Sequence, residues 1–245
     1  TPALIKYYRT LARQGVGTII VESAYVTKQG RGHVNQLGIS EEEHLEGLGN
    51  LARGVKKEGA SIGIRISHAG AQTSEKTCGE QPIGPSVLNF GRDFDVSREF
   101  DQGDVGEIIL NFVHAAERAE ESGMDFIEIN GTEQQLLDQC CCLKLNSRTD
   151  EYGFSMIETR LKFALEVVSA IKNRESVNIP ISYCFSIFDK IEDGFKPKDL
   201  KHMLKLLENA GVDFFHPLAI HAMNKCFENK EPLCQWSAKY TDKPL

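Results

Sequence analysis

The sequence predicts an α/β domain built on a parallel sheet, and three observations carry that prediction. Apolar segments with helical spacing alternate along the chain with short β-branched runs. A glycine repeatedly closes a helix just before such a run, as in QGVGTIIVE, KEGASIGIR, ESGMDFIEI and NAGVDFFHP. The connections between runs read as helices, which is what parallel strands require. Repetition of this unit gives either a doubly wound open sheet or a closed barrel, and the residues leave both open. No G-x-G-x-x-G follows the first strand, which counts mildly against a dinucleotide-binding open sheet.

The elements follow in order. Pro2 to Gln14 reads as a helix with Leu4, Ile5, Tyr8 and Leu11 on one face, and Gly15 and Gly17 end it before a strand at Thr18 to Glu22. Ser40 with Glu43 predicts a capped helix to Glu58, and Ser61 to Ile66 is the next strand. A long irregular loop is expected over about 67–103, marked by Pro82, Gly84 and Pro85. Asp104 and Glu107 then start a helix that Gly123 stops, and Asp125 to Asn130 is a strand. Ser155 and Glu158 cap the next helix, before a strand at Ile179 to Phe185. Pro197 opens a helix ended by Gly211, Val212 to Phe215 begins a fifth strand, and a tail at about 217–245 stays unassigned. The whole chain, 1–245, reads as one domain.

Composition excludes several classes of function. Hydrophobic residues make up 41% and charged residues 26%, as in a globular protein, and no apolar stretch is long enough to span a bilayer. The formal charge of -7 without a Lys/Arg stripe argues against nucleic acid. No charged-then-apolar leader opens the chain. Seven cysteines without C-x-x-C spacing read as free thiols, partly buried, in a reducing cytoplasm, and no metal site is expected.

In either architecture, chemistry belongs at the carboxyl ends of the strands. That rim offers Arg65, His68, Glu133, Asp189 and His216, of which Glu133 and His68 have the residue types for an acid and a base. The bland reading of each is a solvated rim side chain.

Five stretches then converge on one family. They are LIKYYRTLARQGVGTIIVESAYVTKQGRG, EGASIGIRISHAG, PIGPSV, AAERAEESGMDFIEINGTEQQLLDQ and NSRTDEYGFSMIETRLKFALEVVSAI. The chain resembles the Old Yellow Enzyme family of FMN-dependent NADH:flavin oxidoreductases and ene-reductases. The last stretch resembles that family's N-x-R-x-D-x-Y-G-G signature through Asn146, Arg148, Asp150, Tyr152 and Gly153, with Phe154 in place of the second glycine. The resemblance implies a TIM barrel, the five strands being the second to sixth of eight, so that the first strand and the last two are expected beyond this chain. It implies FMN, with NADH or NADPH as reductant, acting on an activated alkene such as an α,β-unsaturated carbonyl compound. Cys226 and Cys234 lack the spacing of the iron–sulfur ligands of larger members, so no cluster is expected.

The same resemblance assigns the site. Asn130, Glu133 and Gln135 fall on the family's substrate and proton-donor positions, and Ser23, Arg65 and Cys184 on flavin-facing ones. Arg65 stands for a glutamine, Ala71 for an arginine, Glu133 for a His or Asn, Gln135 for a tyrosine and Cys184 for an arginine, while CCCL at Cys140 to Leu143 stands for F-L-S-P. Asn130 can still donate to a carbonyl oxygen, but an ionised Glu133 cannot donate and Gln135 cannot deliver a proton. Arg65 beside a flavin would favour its reduced, negatively charged state. Two further readings are a catalytically inactive relative serving as a binding or assembly module, and a fragment of a larger flavoenzyme. An open barrel has sheet edges that a partner, self-association or the missing segments of a longer chain would cover, so a homo-oligomer or another association that covers them is expected.

Overall fold

A computed structural model describes residues 1–153, 155–186, 199–219 and 231–245. Helix α1 (Pro2–Arg13) starts at a Thr1 cap with proline in its first turn and leads to strand β1 (Thr18–Tyr25). A 3-10 turn at Glu42–His44 precedes α2 (Leu45–Lys56), then β2 (Ser61–Ser67) follows. Here the expected helix start at Ser40 is corrected: Glu41 is the cap, because its N–H donates to His44 Nδ1 at 3.1 Å.

The expected irregular loop at 67–103 carries structure: α3 (Glu75–Cys78) and a two-stranded parallel pair, β3 (Ile83–Gly84) with β4 (Arg98–Glu99). Ser97 Oγ holds its turn by accepting from Leu88 N–H at 2.9 Å and donating to Ser86 C=O at 3.0 Å. Next come α4 (Gln102–Glu121), capped by Asp101 rather than Asp104, and β5 (Phe126–Gly131). After them come α5 (Leu136–Cys141) and α6 (Ile157–Lys172), whose cap is Met156 rather than Ser155. The last elements are β6 (Ile181–Phe185), α7 (Leu200–Ala210), β7 (Phe214–Pro217) and α8 (Leu233–Ser237). Phe154, Asp189, Pro197 and Cys226 lie outside the described residues. Among the described residues no helix is long and apolar enough to cross a membrane.

Strand order decides between the two architectures that the residues left open. The five long strands lie as β1-β2-β5-β6-β7, all parallel and in chain order. A doubly wound sheet reverses its order at a switch point, and this one does not. With right-handed crossovers, a sheet in chain order carries all its helices on one side. The helices accordingly form one layer, α1 on α2, α2 on α4, α4 on α6 and α6 on α7. This is an arc of a β/α barrel, as the resemblance implied. Among the described residues the arc is not closed, and its edges are β1 and β7. The tail supplies residues to the second edge: Phe215 N–H donates to Pro244 C=O at 2.9 Å, and Leu233 and Trp236 are buried.

Alternation along each strand separates two faces. Ile62, Ile64, Ile66, Ile127, Ile129, Ile181, Tyr183 and Phe215 are one buried set. The other set faces the concave side and is layered by the register. At its base the Phe126 ring covers Gly63 and meets Phe214 edge-on at 5.3 Å. Above it, Arg65, Glu128 and Ser182 are level across β2, β5 and β6. Above that, Asn130, Cys184 and His216 are level across β5, β6 and β7. This places the polar groups in the upper layers, at the carboxyl ends.

The signature segment proves to be a structural clasp. Asn146 Nδ2 donates to the carbonyls of Cys140 (2.8 Å) and Tyr152 (2.7 Å). Arg148 donates to Phe100 C=O at 2.7 Å and to Glu99 at 2.8 Å, pairs with Asp150 and lies 4.6 Å over the Phe100 ring. A Cβ on Gly153 would approach Arg148 C=O to 2.6 Å. The motif therefore ties the end of the 67–103 insertion to the segment between α5 and α6.

Candidate functional site at the carboxyl ends of the strands

Glu128 is the centre of the site, although in the sequence it reads only as part of the apolar strand run DFIEIN. Its side chain has no exposed surface, and a buried carboxylate needs charged or hydrogen-bonding partners. Arg65 Nε donates to Oε1 at 2.6 Å, His216 Nδ1 lies 2.8 Å from Oε2, and Ser182 Oγ donates to Oε2 at 3.3 Å. Arg65 also reaches 3.4 Å from His216 Nδ1 and 3.7 Å from the Glu133 carboxylate. Burial alone would raise the Glu128 carboxyl pKa, but His216 and Arg65 outweigh it and hold it below the ordinary range. His216 is pushed up to about 10, first by hydrogen bonding with Cys184 and then by Glu128, so it is protonated at neutral pH. Burial opposes the charge on Arg65, and Cys184 and Glu128 reverse that effect and raise its pKa.

Sequence reasoning named Arg65, Cys184 and His216 but missed the carboxylate that joins them. A signal was present: a Glu at a buried phase of one strand, with an Arg at the same phase of the neighbouring one. The side chains of Arg65 and His216 stay 15% and 36% exposed, so positive charge faces the rim while the carboxylate lies beneath it.

The other candidates fall on both sides of this cluster. Asn130 is buried; its Nδ2 donates to Ser23 Oγ at 3.2 Å, and its Oδ1 accepts from Thr132 N–H and Oγ1. Ser23 and Asn130 are thus brought together across 107 residues of sequence. Glu133 is exposed and has φ +60°, followed by Gln134 at +55°. Two consecutive non-glycine residues in the left-handed region store about 1–2 kcal/mol each. Asp138 holds the turn by accepting from Gln134 N–H at 2.7 Å, and Gln139 Nε2 donates to Gln134 C=O at 2.6 Å. Gln135 is the α5 cap residue without a side-chain capping bond, half-buried behind this turn.

His68 is not a rim acid or base. It is 1% exposed, its Nδ1 accepts from Gly70 N–H at 3.0 Å, and burial pushes its pKa down to about 3. Among the described residues no hydrogen bond or ion pair joins it to Glu133. Gln139, which sequence reasoning passed over, holds the H-A-G turn: its Oε1 accepts from Ala71 N–H at 3.1 Å and its Nε2 donates to Ala69 C=O at 3.0 Å. The cysteines match the expectation of free, partly buried thiols where they are described, with only Cys234 exposed. A cavity of about 540 Å³ lined by Glu42, His114, Glu117 and Arg118 lies on the helix layer and takes no residue from the strand-end cluster.

Comparison with known proteins bears on this geometry. Residues 1–240 match the NADH:flavin oxidoreductase / NADH oxidase family. An NADH oxidase of Thermoanaerobacter brockii is 38% identical over 87% of this chain and 33% of its own length. An NADPH dehydrogenase of Clostridium acetobutylicum is 37% identical over 83% of this chain and 59% of its own. The chain thus spans a third to three-fifths of these relatives. The solved structure of the Old Yellow Enzyme homologue from Zymomonas mobilis superposes with a TM-score of 0.84 at 21% identity, covering 100% of this chain and 72% of that one, which supports the barrel fold.

Proposed function

This chain belongs to the NADH:flavin oxidoreductase / NADH oxidase family, and from that premise we propose that its strand-end rim holds FMN for NAD(P)H-dependent reduction of an α,β-unsaturated carbonyl compound. The observation that carries the reading is the pair of cations at the rim, Arg65 and His216, set over the buried Glu128 carboxylate, with the exposed Glu133 carboxylate 3.7 Å from Arg65 as the only other charge paired with them among the described residues. A reduced flavin is negatively charged, and fixed cations beside its ring favour that state, so the residues present fit the group. FMN would supply hydride transfer from nicotinamide to the alkene β-carbon.

The chain's own residues do the rest. Arg65 and His216 present charge from a framework locked by Glu128, which avoids reorganisation. Asn130 spends one amide hydrogen on Ser23, and its second is the donor assigned to the substrate carbonyl oxygen. Glu133 would repel a developing enolate, and Arg65 at 3.7 Å offsets its charge. Gln135 offers no acidic proton, so the proton at the α-carbon comes from solvent.

Titration of the purified chain into FMN, followed by quenching of flavin fluorescence, tests the reading. Stoichiometric quenching is expected, with bleaching by NADH or NADPH and reoxidation by a cyclic enone. Arg65→Ala is expected to weaken FMN binding by about tenfold, a loss of about 1.4 kcal/mol. Flavin fluorescence that stays unquenched refutes it. That result is the one expected of a non-catalytic binding or assembly module, which one observation favours: Arg65 is already engaged by Glu128 and Glu133.

A further inference from the structure

Glu128, Cys184 and His216 bring one carboxylate oxygen, one sulfur and one imidazole nitrogen within 4.8 Å of one another. We propose that these three side chains form a zinc site with a fourth coordination position open toward the rim. They come from three adjacent parallel strands, β5, β6 and β7, whose register sets Cys184 level with His216 and Glu128 one layer below.

Four observations support it. The donor set is mixed sulfur, nitrogen and oxygen, which suits zinc and does not suit magnesium or calcium. Zinc bonds of about 2.0–2.3 Å place ligand atoms roughly 3.3–3.7 Å apart in a tetrahedron. The pair already at 2.8 Å must open and the wider pairs must close, each by about an ångström or less. The outer shell is in place, because Arg65 Nε occupies Glu128 Oε1 and leaves Oε2 for the metal, and Ser182 Oγ steadies that second oxygen. An entry path exists, since the His216 side chain is 36% exposed while Glu128 is fully buried.

Charge is conserved in the exchange. A coordinating thiol is deprotonated outright, and His216 must release its Nδ1 proton, so one zinc ion replaces two protons. The net charge of the cluster is therefore the same with or without metal, and the site does not compete electrostatically with the flavin reading. It does not rest on that reading either, because its test uses the chain free of flavin.

The test is cobalt(II) titration of the chelator-stripped, flavin-free chain under a non-chelating reductant. One equivalent is expected to give a thiolate-to-cobalt charge-transfer absorption with tetrahedral d–d bands, and zinc is expected to bleach it stoichiometrically. Cys184→Ser is expected to abolish the charge-transfer band, and His216→Gln to weaken binding by at least tenfold. The Cys226→Ser/Cys234→Ser double variant is expected to keep the band. Circular dichroism checks that each variant folds, with Cys184→Ala replacing Cys184→Ser if the latter does not. No charge-transfer band from the folded chain overturns the proposal, as does a band that survives loss of Cys184 or disappears with Cys226 and Cys234.

Discussion

Lowering the pH from 7.5 to 5 is expected to destabilise the folded chain by about 2 kcal/mol through His68 alone. The ring is 1% exposed, and burial pushes its pKa from 6.5 down to about 3. The hydrogen bonding agrees with a neutral ring. Nδ1 accepts from Gly70 N–H, so the proton sits on Nε2, and a second proton on Nδ1 would point one donor at another. Nε2 has no hydrogen-bond partner among the described residues, which leaves nothing to favour the charged form. The folded pKa is depressed, so the unfolded chain binds the extra proton first. The contribution is fully present above about pH 6.5 and is lost as the pH falls toward 3, where the limit is roughly 5 kcal/mol. At pH 5 the folded ring is still neutral, so the figure depends mainly on the unfolded value. The assay is urea unfolding at pH 7.5 and pH 5 for wild type and His68→Asn, read as the midpoint at constant slope. The Asn Oδ1 can accept from Gly70 N–H, and any packing loss is common to both pH values. The carboxylates that also respond to acid cancel between the two proteins. His68→Asn is expected to reduce the pH-dependent loss by about 2 kcal/mol. Parallel profiles would refute the reasoning.

Two further substitutions probe the concave face. Glu128→Gln leaves Arg65 and His216 facing each other with only the exposed Glu133 carboxylate, 3.7 Å from Arg65, as counter-charge; with Arg65 15% exposed, destabilisation near the low end of about 3–5 kcal/mol is expected by urea unfolding. Adding Arg65→Gln is expected to recover part of it, and strict additivity of the two changes would show that they do not interact. Gly63→Ala places a Cβ inside the Phe126 ring, which is itself packed on Phe214, so a loss of about 3 kcal/mol is expected. Phe126→Leu in the same chain is expected to return most of that loss, and an unchanged melting midpoint for Gly63→Ala would contradict the packing described.

Much of the architecture was legible because its signals are local. Glycine stops at Gly15, Gly59, Gly123 and Gly211 take positive φ and end the helices α1, α2, α4 and α7 in readiness for strands. Caps were read less well: Ser40, Asp104 and Ser155 each have the right residue type, yet Glu41, Asp101 and Met156 stand at the turn. Several nearby polar residues can satisfy a helix end, and the entering chain selects among them.

The sequence by itself determined the repeating unit, the helix and strand content and, through five motif stretches, the family. It also showed that the residues at the strand ends depart from the family pattern. Only the tertiary structure decided which departures meet: Arg65, Glu128, Cys184 and His216 lie up to 151 residues apart, and register between parallel strands joins them. That register is set by burial of the isoleucine face against the helices, a sum over the whole core that no single segment encodes. Burial likewise puts His68 out of reach of solvent, while Glu133, which residue type alone had paired with it, stands exposed beside Arg65.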